Sequence, residues 1–208
     1  MTNGPSSSYS SLPASLTGQR PGFGWTESNA LRLEYEGLVL DKHVVLTGLS
    51  GAGKSTVGRL LAERLCVGFV DTDLLVEKHT GRSVQEIFDK LGEAHFRSLE
   101  SQMLRVSLDG PPVVIATGGG MMMSTGNREL VSKRAIGIWL QVDPTTAAAR
   151  CLSSEERPLL AGSHPAATLR KLLEARREGY AEAAYTFQTD GLKPDVVANN
   201  IQRTIQCE

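Results

Sequence analysis

The stretch GLSGAGKSTVGRLL, residues 48–61, decides how the rest of the chain is interpreted. Gly48 to Ser55 matches the pattern G-x-x-x-x-G-K-[ST], which is typical of a phosphate-binding loop. The glycines let the backbone turn so that successive N–H groups face one anion. Lys54 adds a cation beside the outer phosphates, and the hydroxyl of Ser55 suits a magnesium ion. The pattern therefore predicts a binding site for a nucleoside triphosphate.

The residues on either side of this loop support that interpretation. Before it, HVVLTG (residues 43–48) is a short apolar run that predicts a buried strand. After it, apolar residues recur at the spacing of one helical face, namely at Val57, Leu60, Leu61 and Leu65. A strand, a glycine loop and a helix follow in the order that a phosphate-binding loop requires, so this context disfavours a plain surface turn.

The composition excludes several other classes of protein. The 208 residues are 40% hydrophobic and 22% charged, which predicts a globular domain with a sizeable core. The formal net charge of −1 gives no reason to expect nucleic-acid or membrane binding. The cysteines are few and widely spaced, which is typical of a reducing compartment and not of a disulfide framework. We therefore expect a cytoplasmic protein.

The first forty residues differ in composition from the rest of the chain. They are rich in Ser, Gly and Pro, and no acidic residue precedes Glu27. Such a segment cannot bury enough apolar surface to fold, so we predict a flexible tail over residues 1–40 and one domain over residues 41–208. The alternative is a transit peptide that directs the protein to a plastid. Transit peptides are normally Arg-rich, however, and residues 1–25 contain only Arg20.

From residue 42 onward, strand-like and helix-like segments alternate. The predicted strands are residues 43–48, 68–71, 112–117, 135–141 and 185–189. A capping box of Ser83 with Glu86 predicts one helix start. Other predicted helices are residues 93–108, 144–151, 166–184 and 194–206. The alternation predicts an α/β fold with a parallel sheet between layers of helices. Ligands of such sheets bind beyond the carboxyl ends of the strands.

Acidic residues and glycines follow two of the predicted strands. Asp71 and Asp73 are suited to orienting a magnesium ion or to accepting a proton from an attacking hydroxyl. The alternative is that an aspartate here caps the next helix. Gly118 to Gly120, in ATGGG, leave the backbone open to the close approach of a ligand. A flexible turn is the alternative, but the place after a strand favours a ligand site.

Several arginines complete the set of candidate residues. Arg97 and Glu100 stand three residues apart and are expected to pair on one helical face. Arg157 follows a polar segment, and Arg176 lies on a predicted helix. A single helical arginine is most often a solvated surface residue. Several near a phosphate loop indicate bidentate clamps for a carboxylate or a phosphate.

Five segments in this order and at these spacings resemble the shikimate kinase family: GLSGAGKST, FVDTD, FRSLE, ATGGG and ERPLLAG. Together they are far more specific than one phosphate loop. The resemblance implies a three-layer P-loop kinase fold with a five-stranded parallel sheet. It implies transfer of the γ-phosphate of ATP to the 3-hydroxyl of shikimate, with one Mg²⁺. The implied partners are these small molecules, without nucleic acid or membrane, and we expect a monomer.

The resemblance also implies which residues hold ATP. The ATP phosphates would be bound by Gly51, Ala52, Gly53, Lys54, Ser55 and Thr56. Lys54 would contact the transferred group, and Ser55 and Asp71 would hold magnesium. Arg150 would lie near the adenine, and Arg157 would reach the phosphates from a closing lid.

The implied acceptor site uses other segments of the chain. Arg97 and Arg176 correspond to the arginines that grip the shikimate carboxylate. Asp73 corresponds to the aspartate that contacts the shikimate hydroxyls and takes the proton. Gly118, Gly119 and Gly120 would line the ring, and Glu100 would hold Arg97 in place. The implied catalytic residues are Lys54, Asp73 and Arg157.

Two segments depart from the family pattern. The lid carries Glu155 and Glu156, where many relatives have basic or neutral residues. The helix reads RREGY, where relatives commonly have a proline and a leucine before the tyrosine. A helix that starts one residue later would exchange Arg176 for Arg177 in the carboxylate grip.

Other functions remain open at this point. A related kinase would act on gluconate, on an aminated cyclitol or on aminoshikimate. Gluconate kinases lack the GGG and FR segments, whereas an aminoshikimate kinase would share the carboxylate grip. A non-catalytic nucleotide-binding module is the third alternative. The presence of Lys54, Asp73 and both arginines argues against that module.

Overall fold

The computed structural model describes residues 40–152 and 164–206. The strands are β1 His43–Thr47, β2 Gly68–Asp71, β3 Val113–Ala116, β4 Ala135–Gln141 and β5 Tyr185–Gln188. The helices are α1 Lys54–Arg64, α2 Thr72–Thr80, α3 Val84–Leu108, α4 Thr125–Arg134, α5 Pro144–Leu152, α6 Pro165–Ala181 and α7 Pro194–Gln206. A 3₁₀ turn spans Met121–Met123. The predicted tail, except for Leu40, lies outside the described residues.

The five strands form one sheet in the order β2-β3-β1-β4-β5, and every pair is parallel. All five lie where the sequence predicts them, with ends that differ by at most one residue. The predicted α/β fold with a five-stranded parallel sheet is therefore confirmed. Because the strands run in one direction, their carboxyl ends lie along one edge, where ligands of such sheets bind.

The central strand shows why the sheet is stable. Every residue of β1 is buried, as expected for a strand covered by helices on both faces. The predicted apolar face of α1 packs into the same core through Val57, Leu61 and Leu65, while Leu60 is half-buried. Each fully buried side chain of this size contributes about 1.5–3 kcal/mol relative to exposure. This packing holds the loop between β1 and α1 at the functional edge.

The helices agree with the prediction around α3 and differ from it at α4 and at the end of α6, which stops at Ala181 and not at residue 184. Ser83 caps α3, and its capping box with Glu86 is confirmed. Gly92 has φ 81° and ψ 166°, so it breaks α3 just before the predicted start at residue 93. Helix α4 was not predicted, because TGNRELVSKR carries few apolar residues, yet Ser124 caps it. Among the described residues, no helix is long and apolar enough to cross a membrane.

Candidate active site

The phosphate-binding loop joins β1 to α1 at the carboxyl edge of the sheet. Gly51 and Gly53 have φ of 81° and 88°, a left-handed conformation that other residues rarely adopt. The loop packs closely: a Cβ at Gly51 would lie 2.5 Å from the carbonyl oxygen of Ala147. Ala52, within the loop, is fully buried, and Thr56 is exposed on the first turn of α1. The loop therefore has the backbone conformation that its pattern predicts.

Lys54 is the first residue of α1 and is only 8% exposed. Its ammonium group donates hydrogen bonds to the carbonyl oxygens of Gly48 and Leu49, at 2.9 and 2.8 Å. These bonds hold the cation inside the loop, beside the positive end of the helix dipole. A phosphate at this position would meet both charges together.

Ser55 and Asp71 meet beside the loop. The Ser55 hydroxyl donates to Oδ2 of Asp71 at 2.7 Å. The other oxygen, Oδ1, accepts the backbone N–H of Asp73 at 3.1 Å and caps α2. A hydroxyl and a carboxylate at this separation fit a magnesium ion, which in kinases takes one or two protein ligands and completes its shell with phosphates and water. The helix cap is Asp71, so the capping alternative is wrong for Asp73.

The triple-glycine segment, Gly118–Gly120, follows β3 and packs against charged side chains. A Cβ at Gly118 would overlap Oε1 of Glu100 and lie 2.7 Å from Oδ1 of Asp73. One at Gly119 would lie 3.2 Å from Nη1 of Arg176, and one at Gly120 would lie 2.5 Å from Cζ of Arg97. Each glycine thus leaves room for a different predicted site residue. From the sequence, we explained these glycines by the close approach of a ligand. The structure gives a second reason, because the side chains of Glu100, Arg97 and Arg176 occupy the space beside them.

Glu100 anchors the arginine on its own helix. Its Oε2 accepts a hydrogen bond from Nη1 of Arg97 at 2.5 Å, which confirms the predicted pair. Glu93, one turn earlier, accepts two more from the same guanidinium. The rings of Phe88 and Phe96 lie 5.9 and 5.3 Å from Cζ of Arg97, within range of cation–π attraction. Arg97 is therefore held from three directions.

Glu100 is also an unusual acid. Its side chain is fully buried, and this burial raises its pKa to about 7. The guanidinium of Arg97 opposes the rise, the carboxylate of Asp73 adds to it, and Arg176 opposes it. An acid that titrates near neutrality thus lies beneath the predicted acceptor site.

A cleft of about 230 Å³ opens beside the triple-glycine segment. Arg97 and Arg176 both line it, although they lie on different helices. Arg177 instead lines a separate cleft with Glu174. The structure therefore brings the predicted arginine pair together and excludes Arg177 from this cleft.

Comparisons with known proteins identify the family. The sequence profile of the family described as shikimate kinase matches residues 50–206. The shikimate kinase of Ruegeria pomeroyi is 43% identical over 152 residues, 73% of this chain and 78% of the relative. That of Symbiobacterium thermophilum is 48% identical over 145 residues, 69% of this chain and 83% of the relative. The chain belongs to the shikimate kinase family.

A solved structure of the shikimate kinase family has the same fold. Shikimate kinase from Acinetobacter baumannii in complex with shikimate matches with a TM-score of 0.75 at 36% identity. The match covers 79% of this chain and 92% of that chain. The resemblance predicted from five short segments is thereby confirmed over most of the chain.

Arg150, predicted near the adenine in the shikimate kinase pattern, lies beside the phosphate loop. Its guanidinium donates to the carbonyl oxygen of Gly51 at 3.2 Å. It also donates to the hydroxyl of Thr189 at 3.1 Å and to the carbonyl oxygen of Thr189 at 2.7 Å. Arg150 thus links the loop after β1 to the end of β5. Thr189 was missed in the sequence because a lone threonine after a strand carries no distinctive pattern.

The lid of the shikimate kinase pattern lies outside the described residues. Arg157, Glu155 and Glu156 all fall within the gap between residues 152 and 164. The predicted role of Arg157 and the effect of the two glutamates therefore stay predictions.

Proposed function

We propose that this shikimate kinase family member transfers the γ-phosphoryl group of ATP to the 3-hydroxyl of shikimate. The products are ADP and shikimate 3-phosphate, an intermediate in the biosynthesis of aromatic amino acids. One observation carries this proposal. Arg97, Arg176 and Asp73 meet on the triple-glycine segment, at the same edge of the sheet as the phosphate loop. Shikimate needs this combination, because it has one carboxylate and a hydroxyl that must lose a proton.

On the ATP side, the protein acts mainly by positioning the phosphates with its backbone and by neutralising their charge. Phosphoryl transfer depends on positioning and on neutralisation of charge, with little covalent chemistry for the protein to perform. Lys54, at the start of α1, faces the transferred group. Ser55 and Asp71 would hold one Mg²⁺, which when bound would neutralise charge on the phosphate oxygens. Arg150 steadies the loop through Gly51, and Arg157 is proposed to reach the phosphates from the lid.

On the acceptor side, the guanidinium groups of Arg97 and Arg176 pair with the carboxylate of shikimate. This pairing directs the 3-hydroxyl towards Asp73 and the phosphate loop. The hydroxyl oxygen attacks the γ-phosphorus while its proton passes to the carboxylate of Asp73. The bond from phosphorus to the bridging oxygen breaks, and ADP leaves with that electron pair. Asp73 then returns its proton to the solvent.

Related acceptors make different demands on this site. Gluconate and aminoshikimate also carry a carboxylate, but a simple cyclitol has none and would leave two arginines unmatched. A non-catalytic module would need neither Asp73 nor the arginine pair. The family match and the arginine pair together favour shikimate.

A coupled assay of ADP release tests the proposal. Purified protein is given ATP and magnesium with shikimate, aminoshikimate, gluconate or no acceptor. We expect the highest kcat/KM with shikimate and only background release without an acceptor. A higher kcat/KM with gluconate or aminoshikimate would overturn the proposal. So would a rate of ADP release that is the same with and without an acceptor. Omission of magnesium should abolish the release.

We further propose that the enzyme acts in the cytoplasm as a monomer. The cysteines Cys66 and Cys151 are both free, which supports a reducing compartment. Sedimentation at assay concentration would show the mass, and a dimer that is required for activity would contradict the monomer.

A further inference from the structure

Tyr180 is fully buried and lies next to the acceptor cleft without lining it. Its hydroxyl donates a hydrogen bond to the carbonyl oxygen of Gly119. Burial raises the pKa of Tyr180, while the nearby charges of Arg176 and Arg97 oppose the rise. The hydroxyl is thus bonded to the triple-glycine segment, close to the two proposed substrate-binding arginines.

The geometry of α6 places Tyr180 beside Arg176. The two residues stand four apart, so they lie one above the other on the same helical face. Arg176 also lies against Gly119, where a Cβ would approach its Nη1 to 3.2 Å. Gly119 is therefore bonded to the tyrosine hydroxyl and lies beside the guanidinium group.

Two neighbours keep Tyr180 in place. The ring of Trp139, on β4, has its centroid 5.7 Å from that of Tyr180. Gly179 lets α6 lie close to the 3₁₀ turn, because a Cβ there would come within 2.7 Å of the carbonyl oxygen of Met122. This glycine belongs to the RREGY segment, in which the chain departs from the family pattern. The close approach brings the tyrosine hydroxyl within reach of the loop.

We propose that Tyr180 is a positioning residue that orients Arg176 for the carboxylate of the acceptor. The inference rests on the proposed function and deepens it. Arginine has a long, flexible side chain, and the backbone against which its head group packs restricts the directions in which it can point. The Tyr180 hydroxyl holds that backbone through the carbonyl oxygen of Gly119. Without this bond, Arg176 would spend less time in the orientation that binds the carboxylate. Tyr180 itself needs no contact with substrate.

Tyr180→Phe removes the hydroxyl and keeps the ring against Trp139. We expect the KM for shikimate to rise roughly fivefold, the scale of one lost hydrogen bond between uncharged groups. The kcat and the KM for ATP should change less than about twofold, since the phosphate loop is untouched. Tyr185→Phe is the matched control, because Tyr185 is a half-buried tyrosine on β5 that lines neither cleft. Its kinetic constants should equal those of the parent.

A double-mutant cycle shows whether Tyr180 acts through Arg176. In an Arg176→Ala background, Tyr180→Phe should raise the KM for shikimate less than about twofold further. Additive effects would overturn the positioning role. So would equal losses for ATP and shikimate, or a Tyr180→Phe protein that does not fold, because both assign the tyrosine to general stability. If the parent enzyme does not phosphorylate shikimate, the proposed function fails instead.

Discussion

Two glycine-rich loops lie side by side at the edge of the sheet, and they use glycine for different reasons. In the phosphate loop, Gly51 and Gly53 are required by their own backbone, since both have positive φ. In the triple-glycine segment, none of the three residues has positive φ. Gly118 and its two neighbours are required instead by side chains that come from other helices. The backbone of the first loop requires glycine by itself, although Gly51 also lacks room for a Cβ against Ala147. In the second segment, only tertiary packing requires glycine.

This difference separates the two halves of the proposed reaction. In the proposed reaction, the phosphate loop binds ATP mainly through its backbone and one lysine, all within nine consecutive residues, Gly48 to Thr56. The acceptor half gathers side chains from α2, α3 and α6 onto one segment. Substitutions in one half should therefore change the use of ATP, and substitutions in the other should change the use of shikimate.

Lys54→Ala should have the largest effect on turnover. Removing the cation that is proposed to face the transferred phosphoryl group should lower kcat on the order of 10³-fold or more. The fold should persist, because the ammonium group of the lysine donates its hydrogen bonds to carbonyl oxygens of the loop. Steady-state kinetics measure kcat, and a thermal melt shows whether the fold persists. A folded variant with normal activity would refute the phosphoryl-transfer mechanism.

Asp73→Asn tests the chemistry of the acceptor half. Asparagine cannot act as a carboxylate base, so kcat should fall by ~10²–10⁴-fold. The melting temperature should stay close to that of the parent, because Asp71 supplies the cap of α2. Asp89→Asn, an exposed position on α3, serves as the control. Turnover within a few-fold of the parent would reduce Asp73 to a passive contact.

A pair of glycine substitutions tests the comparison directly. Gly118→Ala should displace Glu100 and Asp73, and a shift of about 1 Å at a reacting group costs roughly 100-fold in kcat/KM for shikimate. Gly53→Ala meets no atom closer than 3.8 Å, so its cost is backbone strain, about 1–2 kcal/mol, expressed in the binding of ATP. If both variants raised the KM for the same substrate, the two loops would not have separate tasks.

Arg97→Ala and Arg176→Ala should each weaken shikimate binding by roughly 10- to 100-fold, the value of about 1.5–3 kcal/mol for a charge-assisted contact. ATP affinity should hardly change. Arg177→Ala is the matched control, because this neighbour is exposed and lines the other cleft. Calorimetric titration with each substrate gives the affinities. A larger loss of shikimate affinity in Arg177→Ala would show that Arg177, and not Arg176, binds the carboxylate.

The smallest effect concerns stability and pH at Glu100. Its pKa rises from 4.5 to about 7 on folding, so the folded protein binds more protons than the unfolded chain between these values. Its contribution to stability is therefore complete below pH 4.5 and lost as the pH rises through 7, by at most about 3 kcal/mol. Relative to Glu100→Gln, the parent should become less stable between pH 5 and 8. Urea unfolding of both proteins measures this, with the exposed Glu129→Gln as control. If the difference in unfolding free energy between the two proteins stayed constant from pH 5 to 8, Glu100 would not titrate in this range.

Much of the fold was predictable because its signals are local. All five strands are short apolar runs bounded by turn residues, and the capping box at Ser83 needs only residues in sequence contact. Helix α4 was missed because its sequence is mostly polar, and the structure buries only Asn127 and Val131 of it. The pairing of Arg97 with Glu100 was predictable as well, since residues three apart on a helix are neighbours.

The sequence by itself determined the phosphate loop, the order of the strands and helices along the chain, and the residue types available at the edge of the sheet. Only the tertiary structure decided that Ser55 meets Asp71, that Arg176 and not Arg177 joins Arg97, and that Tyr180 reaches Gly119. The physical reason is the range of the interactions. A backbone conformation depends on neighbouring residues, whereas the direction of a side chain across a cleft depends on how distant helices pack.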